Sequence, residues 1–164
     1  MDENGVFVDW VAIYKFPKNS KSSNALIKEG LAHASISSKN PHADWTLSEL
    51  SVKDGESIPG RILSPMYNND PRQFHMLYND EHPNGTTSFT LGHTKGVLVL
   101  NEKYGFWLIH SVPKYPPNID SEGYDYPHTG QMYGQSFLCI SLLTPTSAEQ
   151  IGQQMIFNSP YVYS

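Results

Sequence analysis

Hydrophobic residues along the chain fall into short runs, each bounded by polar and turn-forming residues. Most of these runs are rich in β-branched and aromatic side chains, which is typical of strands. The predicted strands cover residues 6–16, 73–80, 94–100, 105–112 and 135–143. Only the four residues NEKY separate the third run from the fourth, which predicts a β-hairpin.

The C-terminal segment follows a helical pattern instead. Thr146 followed by Glu149 matches a capping box, which predicts that a helix begins there. One face of this helix would carry its apolar residues, Ala148, Ile151, Met155 and Ile156. Strands interspersed with helices predict an α/β or α+β layer fold. The length suits one domain with its own core, so residues 1–164 are interpreted as a single domain.

Composition narrows the class of protein. Hydrophobic residues make up 38% and charged residues 16%, which excludes a disordered chain and a coiled coil. No apolar stretch approaches the roughly 18 residues of a membrane span, so we expect a soluble protein with no membrane partner. The net charge of −5 at pH 7 argues against nucleic-acid binding at neutral pH. Protonating all seven histidines near pH 5 would change −5 to +2, so the chain could bind a polyanion in an acidic compartment.

Three features bear on the cellular compartment. Cys139 is the single cysteine and lies in an apolar run, so it is interpreted as a small buried hydrophobic residue. The first residues, MDENGV, are polar and form no signal peptide, which leaves a cytosolic chain or one that starts where a leader was removed. Asn84 opens an N-glycosylation sequon, which is weak support for secretion.

The stretch GHTKGVLVL places two cationic side chains at the start of a buried strand. His93 and Lys95 are two residues apart, so in a strand they project from the same face, about 7 Å from each other. The flanking Gly92 and Gly96 would leave the backbone open to a bulky ligand. The pair suits a phosphate, because lysine neutralises its oxygens while imidazole acts as nucleophile or proton donor. The alternative is a solvated strand edge on which both charges are incidental.

The contribution of His110 depends on the register of the hairpin. If Leu100 pairs with Gly105, His110 lies opposite Lys95 on the same face of the sheet. If Leu100 pairs with Phe106 instead, His110 faces the other side. A structural histidine of the core is the alternative to a site residue.

The remaining candidates carry weaker signals. Five other histidines show no metal-ligand spacing and the chain has no cysteine pair, so we predict no metal site and no cofactor. These histidines are His33, His42, His75, His82 and His128. The chain has no phosphate-binding glycine loop and no G-x-S-x-G motif. Asp80 and Asp9 could each orient a histidine, but ordinary strand-end residues are the preferred interpretation.

Five segments together resemble the N-terminal half of the deoxyribonuclease II family. They are VDWVAIYKFPK, LYND, GHTKGVLVL, GFWLIHSVPKYPP and YPHTGQMYGQSFLC, and their order and spacing match over roughly residues 8–163. An H-x-K motif alone is unspecific, whereas the whole series is specific. The resemblance implies a phospholipase D-like α/β fold, in which a mixed β-sheet is flanked by helices and this chain supplies one half of the usual two-half fold.

The resemblance also implies an activity. Family members are acid, metal-independent DNA endonucleases that hydrolyse phosphodiester bonds and leave 3′-phosphate ends. DNA would then be the substrate, and His93 and Lys95 would form the first H-x-K motif. His110 becomes a site residue, which favours the register that places it beside Lys95.

Two features of the family are missing from this chain. Family members carry a cysteine just before the segment matching DENG, and the resemblance pairs it with the position of Cys139 in a disulfide bond. If that cysteine was removed with a leader, we expect a secreted or lysosomal protein. The second H-x-K motif is also missing, and one histidine cannot serve on both sides of the phosphorus atom. A C2 homodimer would supply a second His93 and Lys95.

Two other functions compete with a complete nuclease. A catalytically incomplete, secreted family member would bind DNA or another partner with half a site. A general phosphodiesterase acting on a lipid or a nucleotide fits the H-x-K motif but not the wider match of segments.

Overall fold

The computed structural model of the chain describes residues 1–68, 70–121, 123–143 and 146–164. Seven strands and three α-helices follow one another within these residues. Their bounds are β1 Trp10–Lys15, α1 Ala25–Glu29, β2 His33–Ser37, β3 Thr46–Leu47, α2 Ile58–Leu63, β4 Phe74–Asn79, β5 Lys95–Leu100, β6 Tyr104–His110, β7 Gln135–Leu143 and α3 Thr146–Asn158. Two short 3₁₀ helices lie at Ser64–Asn68 and His128–Gly130.

The strands form one sheet in the order β3-β2-β1-β7-β6-β5-β4, and helices accompany it, which confirms the predicted α/β class. Every described pair of neighbouring strands is antiparallel, so the expectation of a mixed sheet is corrected. The physical reason is that β4, β5 and β6 reverse direction through loops, whereas parallel neighbours need a crossover connection. In the described ranges no helix is long and apolar enough to cross a membrane.

Two hydrophobic cores cover the two faces of the sheet. Alternate residues of β5 divide between them, since Val97 and Val99 belong to the first core and Leu98 to the second. The first core lies against α2 and a group of buried tyrosines, and the second lies against α3. Helices α2 and α3 therefore pack on opposite faces of the sheet. Helix α3 also lines the cavity beside His93 and Lys95.

The predicted C-terminal helix is confirmed, but its buried face is narrower than the prediction. Ile151 and Met155 are each 7% exposed, whereas Ile156 is 78% exposed because it lies about 100° around the helix from Met155. Ala148 is half-buried. The predicted capping box depends on the side chain of Thr146, which lies outside the described part of the chain.

The hairpin of β5 and β6 settles the register. Leu100 pairs with Gly105, which is the alternative with the shorter, four-residue loop. Continuing this pairing to the ends of both strands brings His110 opposite Lys95. The register that favours a site role for His110 is therefore confirmed.

Candidate active site

The ends of three neighbouring strands bring the candidate residues together at one end of the sheet. In antiparallel neighbours, the end of β4, the start of β5 and the end of β6 lie side by side. Asp80 directly follows β4, Lys95 is the first residue of β5, and His110 is the last residue of β6. His93 lies two residues before β5, in the turn that leads into the strand. The local sequence folds this way because the apolar residues after Lys95 are drawn into both cores.

Asp80 holds the two residues of the H-x-K motif together. Its Oδ2 lies 2.7 Å from Nδ1 of His93, and its Oδ1 accepts a hydrogen bond from Nζ of Lys95. Burial raises the pKa of the Asp80 carboxyl, but the hydrogen bonds from Lys95 and His93 outweigh it, and the pKa lies below its usual value. The carboxylate therefore stays ionised in mildly acidic solution.

This arrangement bears on two of the interpretations made from sequence, one for Asp80 and one for the H-x-K motif. Asp80 is not an ordinary strand-end residue, because its carboxylate contacts both cationic side chains. The alternative of a solvated strand edge does not hold for Lys95, which is only 6% exposed and paired with Asp80, whereas the side chain of His93 is exposed to solvent. Asp9 forms no hydrogen bond or ion pair with a histidine in the described ranges, and its backbone N–H donates to Ser38 Oγ at 2.9 Å.

His93 and Lys95 differ sharply in their exposure to solvent. The side chain of His93 is 86% exposed, whereas that of Lys95 is 6% exposed. Because Nδ1 of His93 faces Asp80, the other ring nitrogen, Nε2, is left for a ligand. The site therefore combines an oriented, accessible imidazole with a buried, fixed positive charge.

His110 is the buried histidine of the site. Its Nδ1 accepts a hydrogen bond from the backbone N–H of Val112 at 3.2 Å, which assigns the ring hydrogen to Nε2. Burial, and to a smaller extent the charge of Lys95, lowers the pKa of His110 to about 3. Nε2 is buried and has no hydrogen-bond partner among the described residues. At any pH above about 4, His110 thus offers a neutral N–H donor rather than an imidazolium acid.

A cavity of about 420 Å³ opens beside these groups. His93, Lys95 and His110 line it together with Trp107 and Ser111, and α3 contributes two polar residues. These are Gln154 and Asn158, which bond to each other at 2.9 Å. Such a cavity suits a tetrahedral anion with a flexible polar substituent, since it supplies one cation and several hydrogen-bond donors and acceptors.

The roles of the two glycines differ from the sequence-based prediction. A Cβ at Gly92 would collide with the carbonyl oxygen of Asn158, and one at Gly96 would collide with the hydroxyl of Tyr78. The glycines therefore make room for other parts of the chain, not for a ligand. Both contacts come from elements far away in sequence, which explains why the prediction was wrong.

Sequence reasoning missed the polar wall that α3 provides. Gln154 and Asn158 are four residues apart and therefore share one helix face. They repeat the four-residue spacing of the buried pair Ile151 and Met155, three residues further along the helix. That spacing was the available signal, but it does not say which end of the sheet the helix covers.

Two other predicted residues lie apart from the cavity. Cys139 is a free, buried thiol in the middle of β7. Burial raises the pKa of this thiol to about 12, although the nearby charge of the Met1 amino group lowers it slightly. Asn84 is exposed in the loop after β4, where its Oδ1 accepts hydrogen bonds from the N–H and hydroxyl of Thr86.

Metal-binding residues do not cluster in the part of the chain that the structure describes. No group of three or more His, Cys, Asp or Glu side chains in these ranges could hold a metal ion. The carboxylate of Asp80, the strongest ligand at the site, is engaged by Lys95 and His93.

A family model for deoxyribonuclease II matches residues 1–164. The chain belongs to the deoxyribonuclease II family. Relatives include human deoxyribonuclease-2-beta, which is 38% identical over 168 residues covering 99% of this chain and 45% of the human protein. Mouse deoxyribonuclease-2-alpha is 36% identical over 98% of the chain and 45% of its own length. Plancitoxin-1 of Acanthaster planci is 37% identical over 99% and 46%, respectively.

The resemblance noted in the sequence is therefore confirmed as family membership. The chain spans less than half the length of the curated deoxyribonuclease II relatives that it matches. The cluster of His93, Lys95, Asp80 and His110 lies entirely within this half-length match.

Proposed function

We propose that the chain is a deoxyribonuclease II-type nuclease module that hydrolyses phosphodiester bonds of DNA. One observation carries the proposal: in a member of this family, Asp80 holds His93 and Lys95 beside His110 at the mouth of one cavity. The names of the relatives, deoxyribonuclease-2-alpha and deoxyribonuclease-2-beta, support the same class of enzyme. In this proposal residues 1–164 form a single domain.

The proposed binding step places the phosphate between fixed charges. Lys95 neutralises the non-bridging oxygens, and the neutral Nε2–H of His110 donates a hydrogen bond to one of them. His93 is accessible and oriented by Asp80, so its Nε2 is the group placed to attack phosphorus. A bond forms from Nε2 to phosphorus as the bond from phosphorus to O5′ breaks, and water later releases the 3′-phosphate from His93.

The departing O5′ needs a proton from the side opposite to the attacking nitrogen. His110 is a poor source, because a pKa of about 3 leaves it neutral at pH 5. We therefore propose that a second H-x-K motif completes the site, from the partner chain of a C2 homodimer or from a second half of the protein. A second histidine that is protonated in acid would supply the missing proton.

An acidic working environment fits the proposal for two reasons. The carboxylate of Asp80 stays ionised there because its pKa is lowered. Acid also reduces the net negative charge through histidines other than His33 and His110, whose pKa values burial lowers, and a less negative chain favours contact with a polyanion. The proposed reaction uses no metal ion or other cofactor. We accordingly propose a secreted or lysosomal location, with Asn84 glycosylated and Cys139 paired with a cysteine that this chain lacks.

The test is nicking of supercoiled plasmid at pH 5 in excess EDTA. We expect the wild-type chain to nick, His93→Ala to lose the activity, and the control His42→Ala, on an exposed loop, to retain it. Equal nicking by His93→Ala would refute the assignment of the nucleophile. Loss of nicking when EDTA is added would refute metal independence.

A catalytically incomplete protein that binds DNA is the second candidate. The specific observation in its favour is that the cavity holds one accessible histidine and one that stays neutral. The expected signature is a folded chain that binds DNA at pH 5 without cutting it. Light scattering distinguishes the two functions further, since an active half-length chain should be a dimer.

A further inference from the structure

A second cavity, of about 590 Å³, adjoins the first at His93. Its other lining residues come from the end of β4 and from the loop before β5: Asp80, Glu81, Thr87, Ser88, Phe89 and Leu91. His93 lines both cavities, so both border the side chain of the candidate nucleophile.

Phe89 is the most unusual residue of this cavity. It is 93% exposed, and the neighbouring Leu91 is 39% exposed, so two apolar side chains face water beside the candidate nucleophile. A ring so exposed contributes little to either hydrophobic core. Its position therefore has no evident structural purpose in the described chain.

The backbone on both sides of Phe89 is nevertheless held in place. The N–H of Ser88 donates to the carbonyl of Asp80 at 2.8 Å, and the hydroxyl of Ser88 accepts from the N–H of Leu91 at 3.2 Å. The N–H of Gly92 donates to the carbonyl of Ser159 at 2.8 Å. The loop thus presents the aromatic ring from a fixed backbone, which lowers the entropic cost of binding against it.

The charges of the two cavities select different parts of a nucleotide. The first cavity contains Lys95 and the donor of His110, which suit a phosphate. The second contains the carboxylate of Glu81, which would repel one, and Asp80, whose charge is paired with Lys95 and His93. A flat, uncharged ring with N–H donors fits there instead, because it can stack on Phe89 while its amino groups face Glu81.

We propose that Phe89, supported by Leu91, is a stacking platform for the nucleobase next to the phosphate held by His93 and Lys95. This inference rests on the proposed function, because it takes the phosphate position from it. The platform makes Phe89 a residue that determines how strongly the substrate strand is held beside the phosphate.

The test compares Phe89→Ala with Phe74→Ala. Phe74 is a matched control, since it is 56% exposed and lies at the opposite end of β4 from Asp80. The substrates are a DNA dinucleotide, which has one phosphodiester, and two analogues with an abasic sugar on one side or the other. We expect Phe89→Ala to lower kcat/KM on the intact dinucleotide by about 5- to 150-fold, as for a stacked base in other proteins. Phe74→Ala should match the wild-type chain.

The abasic analogues decide whether the effect is stacking. One analogue should be cleaved slowly by the wild-type chain, and Phe89→Ala should cause no further loss on that analogue. If Phe89→Ala cleaves all three substrates as the wild-type chain does, or is equally impaired on all three, the platform is refuted.

The proposed function can fail separately from the platform. If the wild-type chain binds DNA without cutting, the same comparison is made on the dissociation constants of a labelled single-stranded oligonucleotide and its abasic form. The outcomes that support or refute stacking are then the same. A wild-type chain that neither cuts nor binds DNA would refute the proposed function, and the platform would fall with it.

Discussion

Replacing Asp80 with asparagine should destabilise the protein far more than an exposed substitution. Asp80 and Lys95 are each 6% exposed, so the variant leaves a buried ammonium group without its counter-charge. Removing one partner of a buried ion pair costs about 3–5 kcal/mol. Asparagine keeps one oxygen as an acceptor, so we expect the lower end of that range, or a decrease in Tm of about 6–12 °C for a chain of this size.

Urea denaturation followed by circular dichroism at pH 7 measures this loss. His93→Ala is the matched control, since it removes the other partner of Asp80 from an 86% exposed position. An exposed pair contributes about 0–1 kcal/mol, so this control should unfold close to the wild-type midpoint. The double variant Asp80→Asn, Lys95→Met removes both buried charges, and it should recover most of the stability that Asp80→Asn loses.

A stabilising role of the buried pair is refuted if the free energy of unfolding of Asp80→Asn lies within about 0.5 kcal/mol of the wild-type value, or if the double variant is no more stable than the single one. The dependence on pH provides a further check. The pKa of Asp80 is lowered in the folded state, so its stabilising effect is present above the unfolded pKa of about 3.9 and is lost as the pH falls through the lower, folded value. The difference between Asp80→Asn and wild type should therefore stay constant from pH 7 to pH 5.

Three further predictions concern other parts of the chain. The pKa of His110 is lowered to about 3, so the unfolded state gains the proton first and stability falls as the pH drops below about 6.5. Urea titrations at pH 7 and pH 5 measure this. Between pH 7 and pH 5 the free energy of unfolding of His110→Asn should fall by about 2 kcal/mol less than that of the wild-type chain, and an equal fall would contradict the buried neutral ring. Cys139 should react with a thiol reagent much more slowly in the folded chain than in the unfolded chain, because the thiol is buried and its pKa is raised to about 12. Thiol titration at pH 8 with and without urea checks this, and equal rates in the two conditions would refute it. Gly92→Ala should lower the free energy of unfolding by about 1–3 kcal/mol because its Cβ meets the end of α3, whereas Gly152→Ala, which meets nothing within 4 Å, should raise it by about 0.5–1 kcal/mol. Equal effects of the two in urea denaturation would show that the contact at Gly92 is absent.

The strands of the site could be predicted from sequence because their signals are local. β7 coincides with its predicted range, and the hairpin of β5 and β6 follows from two apolar runs separated by four residues. The choice between its two registers was left open, although Asn101 provides a local reason for the shorter loop. Its side-chain oxygen accepts hydrogen bonds from the N–H groups of Lys103 and Tyr104, both at 2.9 Å.

The partners of His93 could not be predicted in the same way. Asp80 precedes His93 by 13 residues, and only the pairing of β4 with β5 brings its carboxylate to the motif. The polar wall from α3 depends on still more distant packing, since Gln154 and Asn158 reach the cavity only because α3 covers this end of the sheet. Such contacts are set by tertiary structure, and periodicity in one segment does not contain them.

The different environments of the two histidines bear on where a second catalytic group must approach. Lys95 and His110 are buried, so they close the inner side of the cavity, whereas His93 is 86% exposed on its outer side. Under the proposed function, a group that protonates the leaving oxygen would approach from the solvent side, across the mouth of the cavity from the imidazole of His93. Phe89 lies on that same outer rim, in the cavity that shares His93. A strand of DNA and the second half-site would then meet at this rim, where the stacking platform would hold the strand beside His93.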